Sequence, residues 1–143
     1  MAPFATRLKE AAAFVHDPRI RVLDIERQLG TSYTIDTIAA LQALYPKTRF
    51  VLLIGADNLA ELRRWRNWKG IFARLPVAVF ARPSYCRHAL AELAAKRFAK
   101  ARILPPARRL ALLDPPAWTF LPVRLDPSSA TEIRSTHAAL SQR

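Results

Sequence analysis

Apolar residues at Phe4, Leu8, Ala11, Ala12 and Val15 recur at helical spacing. Asp17-Pro18 predicts the end of that helix, because proline disfavours helical geometry in the residue before it. Ile20, Val22 and Asp24 then alternate with Arg21, Leu23 and Ile25, a β-branched run between Pro18 and Gly30 that predicts a short strand. From Thr34 the spacing is helical again, with Ile35, Ile38, Leu41, Leu44 and Tyr45 on one side and Pro46 as the stop. Phe50 to Ile54 is a continuous apolar run closed by Gly55, the pattern of a strand buried on both faces of a parallel sheet. Leu59, Leu62, Trp65, Trp68 and Ile71 predict one helical stretch, and Pro76 to Ala81 a second buried strand closed by Arg82 and Pro83. Ala89 to Arg102 sets Ala and Leu among Arg and Lys at helical spacing, and Pro105, Pro106, Pro115 and Pro116 break the chain beyond it. Trp118 to Val123 predicts a last strand and Thr131 to Leu140 a closing helix. Alternating strands and helices imply an α/β fold built on a parallel sheet.

Composition fits one domain with a single core: 143 residues, 51% apolar and 24% charged, with no repeat or low-complexity tract. The longest apolar stretches, Phe50 to Ala56 and Leu75 to Ala81, are far shorter than the roughly 18 residues a spanning helix needs. Cys86 is the single cysteine, so no internal disulfide forms and a cytoplasmic setting is expected. Met1 to Arg21 lacks the apolar segment of a signal peptide and reads as a mature helix.

Charge changes the picture more. The formal net charge is +12, yet residues 1 to 62 hold seven Lys/Arg and seven Asp/Glu, whereas residues 63 to 143 hold sixteen and four. A basic excess on that scale attracts polyanions: nucleic acid, an anionic surface or a phosphorylated small molecule.

In an open α/β sheet, ligands gather beyond the carboxyl ends of the strands, where helix N-termini favour anions. Four segments fall there. After Phe50 to Ile54, Gly55 would let a ligand approach the backbone and Asp57 could accept hydrogen bonds from ribose hydroxyls; Asp57, or Asn58 with Glu61, equally fits simple helix capping. Ser129, Thr131 and Arg134 open the last helix with hydroxyls and a guanidinium that suit a polyphosphate, while Ser129 and Glu132 also form an ordinary capping box. Trp65 and Trp68, three apart among Arg63, Arg64, Arg66 and Lys69, could stack a heteroaromatic ring or pack in the core; Arg82 lies just past a strand end. Ser32, Tyr33 and Thr34 start the second helix, whose N–H groups could hold a carboxylate or be capped by Ser32 or Thr34. His16, His88 and His137 form no nucleophile or metal arrangement in the sequence.

In this order and spacing, Ser32-Tyr33-Thr34 with Asp36-Thr37, Ile54-Gly55-Ala56-Asp57 followed by Trp65, Arg82-Pro83, and Ser129-Ala130-Thr131-Glu132-Ile133-Arg134 resemble the bacterial nicotinate-nucleotide adenylyltransferases from Met1 to about Leu140. The resemblance implies a Rossmann-like nucleotidyltransferase fold, a single domain over 1–143 with a parallel sheet flanked by helices. It further implies transfer of AMP from ATP to nicotinate mononucleotide, with Mg2+ assisting, to give deamido-NAD and pyrophosphate. On the same resemblance Trp65 stacks on the nicotinate ring, and the backbone around Thr34 and Arg66 holds its carboxylate. Gly55 and Asp57 line the adenosine side. Ser129, Thr131 and Arg134 bind the ATP phosphates near Arg82, with Thr131 and Arg134 as the catalytic pair.

The sequence departs from the family pattern at Ala130, where a second Ser is usual, and at Ser84, where Gly commonly follows Arg-Pro. It also starts downstream of the family's first strand and His-x-Gly-His helix, so little or no turnover is expected of these 143 residues alone. A basic nucleic-acid-binding module and a non-catalytic remnant are the alternatives.

Overall fold

The computed structural model describes residues 3–82 and 86–122, which fall into two compact units, one ending at Thr48 and the other beginning at Arg49.

The first unit is helical. Helix α1 spans Phe4–Phe14 as its periodicity predicts, and buries no residue. After it, the Asp17 carboxylate accepts from the Arg19 side chain (Nη2 2.6 Å, Nε 3.0 Å) and from the Arg19 backbone N–H (2.9 Å). Those side-chain bonds first, then the backbone bond, hold the Asp17 pKa below the usual aspartate value. The stabilisation is therefore present above the unfolded-state aspartate pKa and lost as pH falls through the lower folded value. An NMR titration of the Asp17 carboxyl carbon is expected to give a midpoint below that of an unpaired aspartate.

The strand expected over Ile20 to Ile25 does not form: residues 20–24 carry no regular element and Ile25–Leu29 is a short helix, α2. Alternation makes a strand only where a neighbour completes the hydrogen-bond ladder, and among the described residues of this unit there is none. Gln28 instead donates its backbone N–H to Asp24 O (3.1 Å) and its amide to the Asp24 carboxylate, which starts the helix. Gly30 ends α2 in the left-handed conformation (φ 65), its N–H reaching the carbonyls of Glu26 and Arg27. Helix α3, Thr34–Leu44, matches its prediction and buries Ile35, Thr37 and Ile38. The Thr37 hydroxyl is satisfied by Thr31 Oγ1 (2.7 Å) and by Tyr33 O (3.3 Å).

The second unit is α/β. Strands β1 (Leu52–Gly55), β2 (Val77–Phe80), β3 (Arg102–Ile103) and β4 (Trp118–Leu121) form one parallel sheet in the order β1-β2-β4-β3. Helices α4 (Ala56–Glu61), α5 (Trp68–Arg74), α6 (Cys86–Ala91) and α7 (Leu93–Arg97) lie between the strands in the chain. The expected parallel sheet with flanking helices is what the chain adopts. Val77 and Val79 are fully buried, as are Leu59, Leu62, Ile71 and Phe72 from the helical side. On the opposite pleat Ala78 packs with Leu110 and Ala117. The buried polar atoms of β4 are satisfied: the Trp118 indole donates to Phe98 O and the Thr119 hydroxyl to Ile103 O, both at 2.8 Å.

Three details differ from the sequence expectation. In the described sheet β1 is an edge strand, and Leu53 is 62% exposed rather than buried on both faces. The helix expected over Ala89 to Arg102 is broken, since Glu92 is extended (φ −76, ψ 164) and a 3-10 turn, Ala99–Ala101, delivers the chain into β3. Most consequentially, the single helix from Leu59 to Ile71 is interrupted by a 3-10 turn at Leu62–Arg64, an extended Trp65 and a left-handed Asn67 (φ 46). The closing helix at Thr131 to Leu140 and the end of the last strand at Val123 lie outside the described residues. Among the described residues no helix is long and apolar enough to cross a membrane.

Candidate functional site

Parallel pairing sends neighbouring strands out of the sheet at the same end, and the register Gly55↔Phe80 brings the exits of β1 and β2 level. Gly55 is the last residue of β1, Asp57 stands in the first turn of α4, and Arg82 lies two residues past Phe80. The Asp57 and Arg82 side chains meet there, beside Gly55. Arg82 Nε is 3.2 Å from Asp57 Oδ1, the aspartate side chain about one-third exposed and the arginine more than half. Three residues expected at the ATP site are thus brought together at the carboxyl edge of the sheet, where helix N-termini and loops favour anions.

At α4 and α3 the capping alternatives do not hold, while the Ser129–Glu132 box lies outside the described residues. Gly55 occupies the N-cap position of α4, Asp57 lies inside the helix, and no side chain caps its N-terminus. Helix α3 is likewise uncapped by Ser32 or Thr34: Tyr33 is the N-cap residue, and Tyr33 O accepts from Asp36 N (3.0 Å) and Thr37 N (3.1 Å). Thr34 is the first residue of α3, and an uncapped helix start of this kind leaves N–H groups directed at an anion.

The two tryptophans do not share a helix face, which corrects the sequence reading. Trp65 is half-buried on extended backbone (φ −77, ψ 143) after the 3-10 turn, with Arg66 exposed beside it. Trp68 begins α5 and meets the Phe98 ring edge-on at 6.0 Å, while Phe98 stacks on Phe72 at 4.2 Å. The Asn67 side chain lies against Gly70, and Gly70 N donates to Asn67 O (2.8 Å), which fixes the break between them. Both tryptophans are half-buried: Trp68 packs on Phe98 with Lys69 Nζ over its ring at 5.7 Å, whereas Trp65 lies outside that helix. Ser129, Thr131 and Arg134 lie outside the described residues.

Sequence reasoning treats Asp57 and Arg82 as separate candidates and misses that they pair. The available signal is indirect: each follows a predicted strand, and only the adjacency of those strands puts them side by side.

The probable nicotinate-nucleotide adenylyltransferase of Cereibacter sphaeroides is 47% identical over 135 residues, covering 94% of this chain and 72% of that protein. The chain belongs to the nicotinate-nucleotide adenylyltransferase family. Its relatives of the same name include those of Ruegeria pomeroyi, 46% identical with 63% of that protein covered, and Gluconacetobacter diazotrophicus, 46% identical with 66% covered. The chain therefore spans roughly two thirds of the length of these adenylyltransferases. No protein-family model matches it. Among solved structures, Plasmodium falciparum nicotinic acid mononucleotide adenylyltransferase complexed with APC superposes with a TM-score of 0.58 at 12% identity, over 92% of this chain and 57% of that one. That likeness shows the fold, the expected Rossmann-like nucleotidyltransferase architecture. Membership of an adenylyltransferase family does not favour the nucleic-acid-binding alternative.

Proposed function

We propose that the site on this chain serves the transfer of AMP from ATP to nicotinate mononucleotide, giving deamido-NAD and pyrophosphate in cytoplasmic NAD biosynthesis, with little or no turnover expected of the 143 residues alone. The observation that carries the reading is the gathering of Gly55, Asp57 and Arg82 at the carboxyl edge of β1 and β2, in a chain of this family.

In such a transfer a phosphate oxygen of the mononucleotide attacks the α-phosphorus of ATP. The new P–O bond forms as the bond to the bridging oxygen breaks, and pyrophosphate leaves with the electron pair. No protein nucleophile is needed, so the protein contributes position and charge. Arg82 meets a phosphate of ATP. Gly55 and Asp57 line the adenosine side, and Trp65 stacks the nicotinate ring with Arg66 beside its carboxylate. Thr34, Ser129, Thr131 and Arg134 keep, as proposals, the roles that the family resemblance gives them, within a single nucleotidyltransferase-like domain.

Among the described residues no group of three or more His, Cys, Asp or Glu converges, and the Asp57 carboxylate faces Arg82. These residues suit a Mg2+ ion brought by ATP, which would supply neutralisation of phosphate charge beside Arg82.

Calorimetric titration of the folded 143-residue chain tests the reading. ATP with Mg2+ and nicotinate mononucleotide are each expected to bind saturably; absence of binding by both would overturn it.

A further inference from the structure

We infer that Asp57 is a positioning residue, its carboxylate holding the Arg82 guanidinium at the carboxyl end of β2 in the orientation that receives a nucleotide phosphate, and that position 55 is glycine to leave room for this pair. The inference deepens the ATP-site reading above and rests on it.

The glycine is the first observation. Gly55 has φ −81 and ψ 162, an extended conformation open to any residue, so backbone freedom does not explain it. Space does. A Cβ on Gly55 would lie 2.6 Å from Arg82 Nε and 3.2 Å from Arg82 Cδ, and would collide with Asp57 Oδ1 as well. The position is thus filled by the ion pair itself, and a side chain there would push the two groups apart.

The pair's geometry is the second. Arg82 approaches the carboxylate side-on, through Nε at 3.2 Å. Asp57 Oδ1 is shielded from water and accepts no hydrogen bond, so its link to Arg82 Nε is ionic rather than an aligned N–H···O bond. Arginine is a long side chain that loses rotamer freedom when it grips an anion, and a partner that limits that freedom beforehand leaves less to lose on binding. The same carboxylate would repel an incoming phosphate if it stood alone; beside Arg82 its charge is offset. The opposite role, a carboxylate that competes with phosphate for the arginine, predicts tighter ATP binding once Asp57 is neutralised, and this is the outcome that separates the two.

The test is a double-mutant cycle on the full 143-residue chain, using Asp57→Asn, Arg82→Ala, the double variant and Gly55→Ala. Each is titrated calorimetrically with ATP and Mg2+, then with nicotinate mononucleotide, and melted thermally. Arg82→Ala is expected to weaken ATP about tenfold, the scale of a charge-assisted contact to phosphate. Asp57→Asn should weaken it about three- to fivefold, the scale of a partly exposed ion pair. The double variant should be no worse than Arg82→Ala, and Gly55→Ala should reproduce the Asp57→Asn loss with both charges still present. Mononucleotide affinity should stay unchanged throughout.

Unchanged or tighter ATP binding in Asp57→Asn, or full additivity in the double variant, would overturn the inference while leaving the ATP-site reading intact. Normal ATP affinity in Arg82→Ala would overturn both. A fall in melting temperature shared by all the variants, with ATP affinity preserved in the folded fraction, would make the pair a structural brace and also overturn it.

Discussion

Replacing Trp118 with alanine is expected to cost about 3–5 kcal/mol of stability, the range for losing a large buried aromatic side chain. Trp118 is 1% exposed and sits on β4 between β2 and β3, so it touches the middle of the sheet. Its indole N–H satisfies Phe98 O at 2.8 Å, and the Arg102 guanidinium lies over its ring at 5.4 Å. The substitution therefore opens a cavity, leaves a carbonyl without its donor and removes the ring that shields a cation. Leu53→Ala is the control. Leu53 is 62% exposed at the edge of the described sheet, and its truncation should change stability by less than about 0.5 kcal/mol. Urea unfolding of the two variants measures the contrast; equal midpoints would mean that the sheet's core does not lie where β4 crosses it.

Trp65→Ala and Trp68→Ala are expected to fail in opposite ways. Trp65 is half-buried on an extended segment, and its loss should weaken nicotinate mononucleotide binding by about 1–3 kcal/mol, the scale of stacking an aromatic base, with ATP binding and stability nearly unchanged. Trp68 packs edge-on against Phe98, so its loss should lower the melting temperature and leave mononucleotide affinity in the folded protein intact. Calorimetry and thermal melting of both variants separate the roles. Unfolding in Trp65→Ala with Trp68→Ala spared would assign Trp65 to the core instead of the site.

The sequence carries these assignments unevenly. Val77 to Phe80 and Thr34 to Leu44 are legible because burial on all sides, or along one stripe, writes itself as a continuous run or a helical period. Ile20 to Ile25 has the same β-branched pattern but no partner strand among the described residues of its unit, and a ladder is a property of two segments that one segment's pattern cannot report. The break between Trp65 and Trp68 is hidden for another reason. It depends on Asn67 taking a left-handed conformation, which leaves the spacing of apolar residues unchanged.

Gly55, Asp57 and Arg82 each stand out by position after a strand, yet their relation is not legible in the sequence. Their pairing depends on the adjacency of β1 and β2, a fact of topology. Gly55 illustrates the difference: the sequence suggests room for a ligand, whereas the structure fills that room with Asp57 and Arg82.

Amide chemical-shift mapping of the 143-residue chain during titration with ATP and Mg2+, and then with nicotinate mononucleotide, tests most directly whether the carboxyl edge of β1 and β2 is the nucleotide site. Saturable ATP shifts centred on Gly55, Asp57 and Arg82, with mononucleotide shifts around Trp65 and Arg66, are the predicted result. Shifts that avoid those residues, or that spread over the basic side chains of α5 and α7 and vanish at physiological salt, would contradict it.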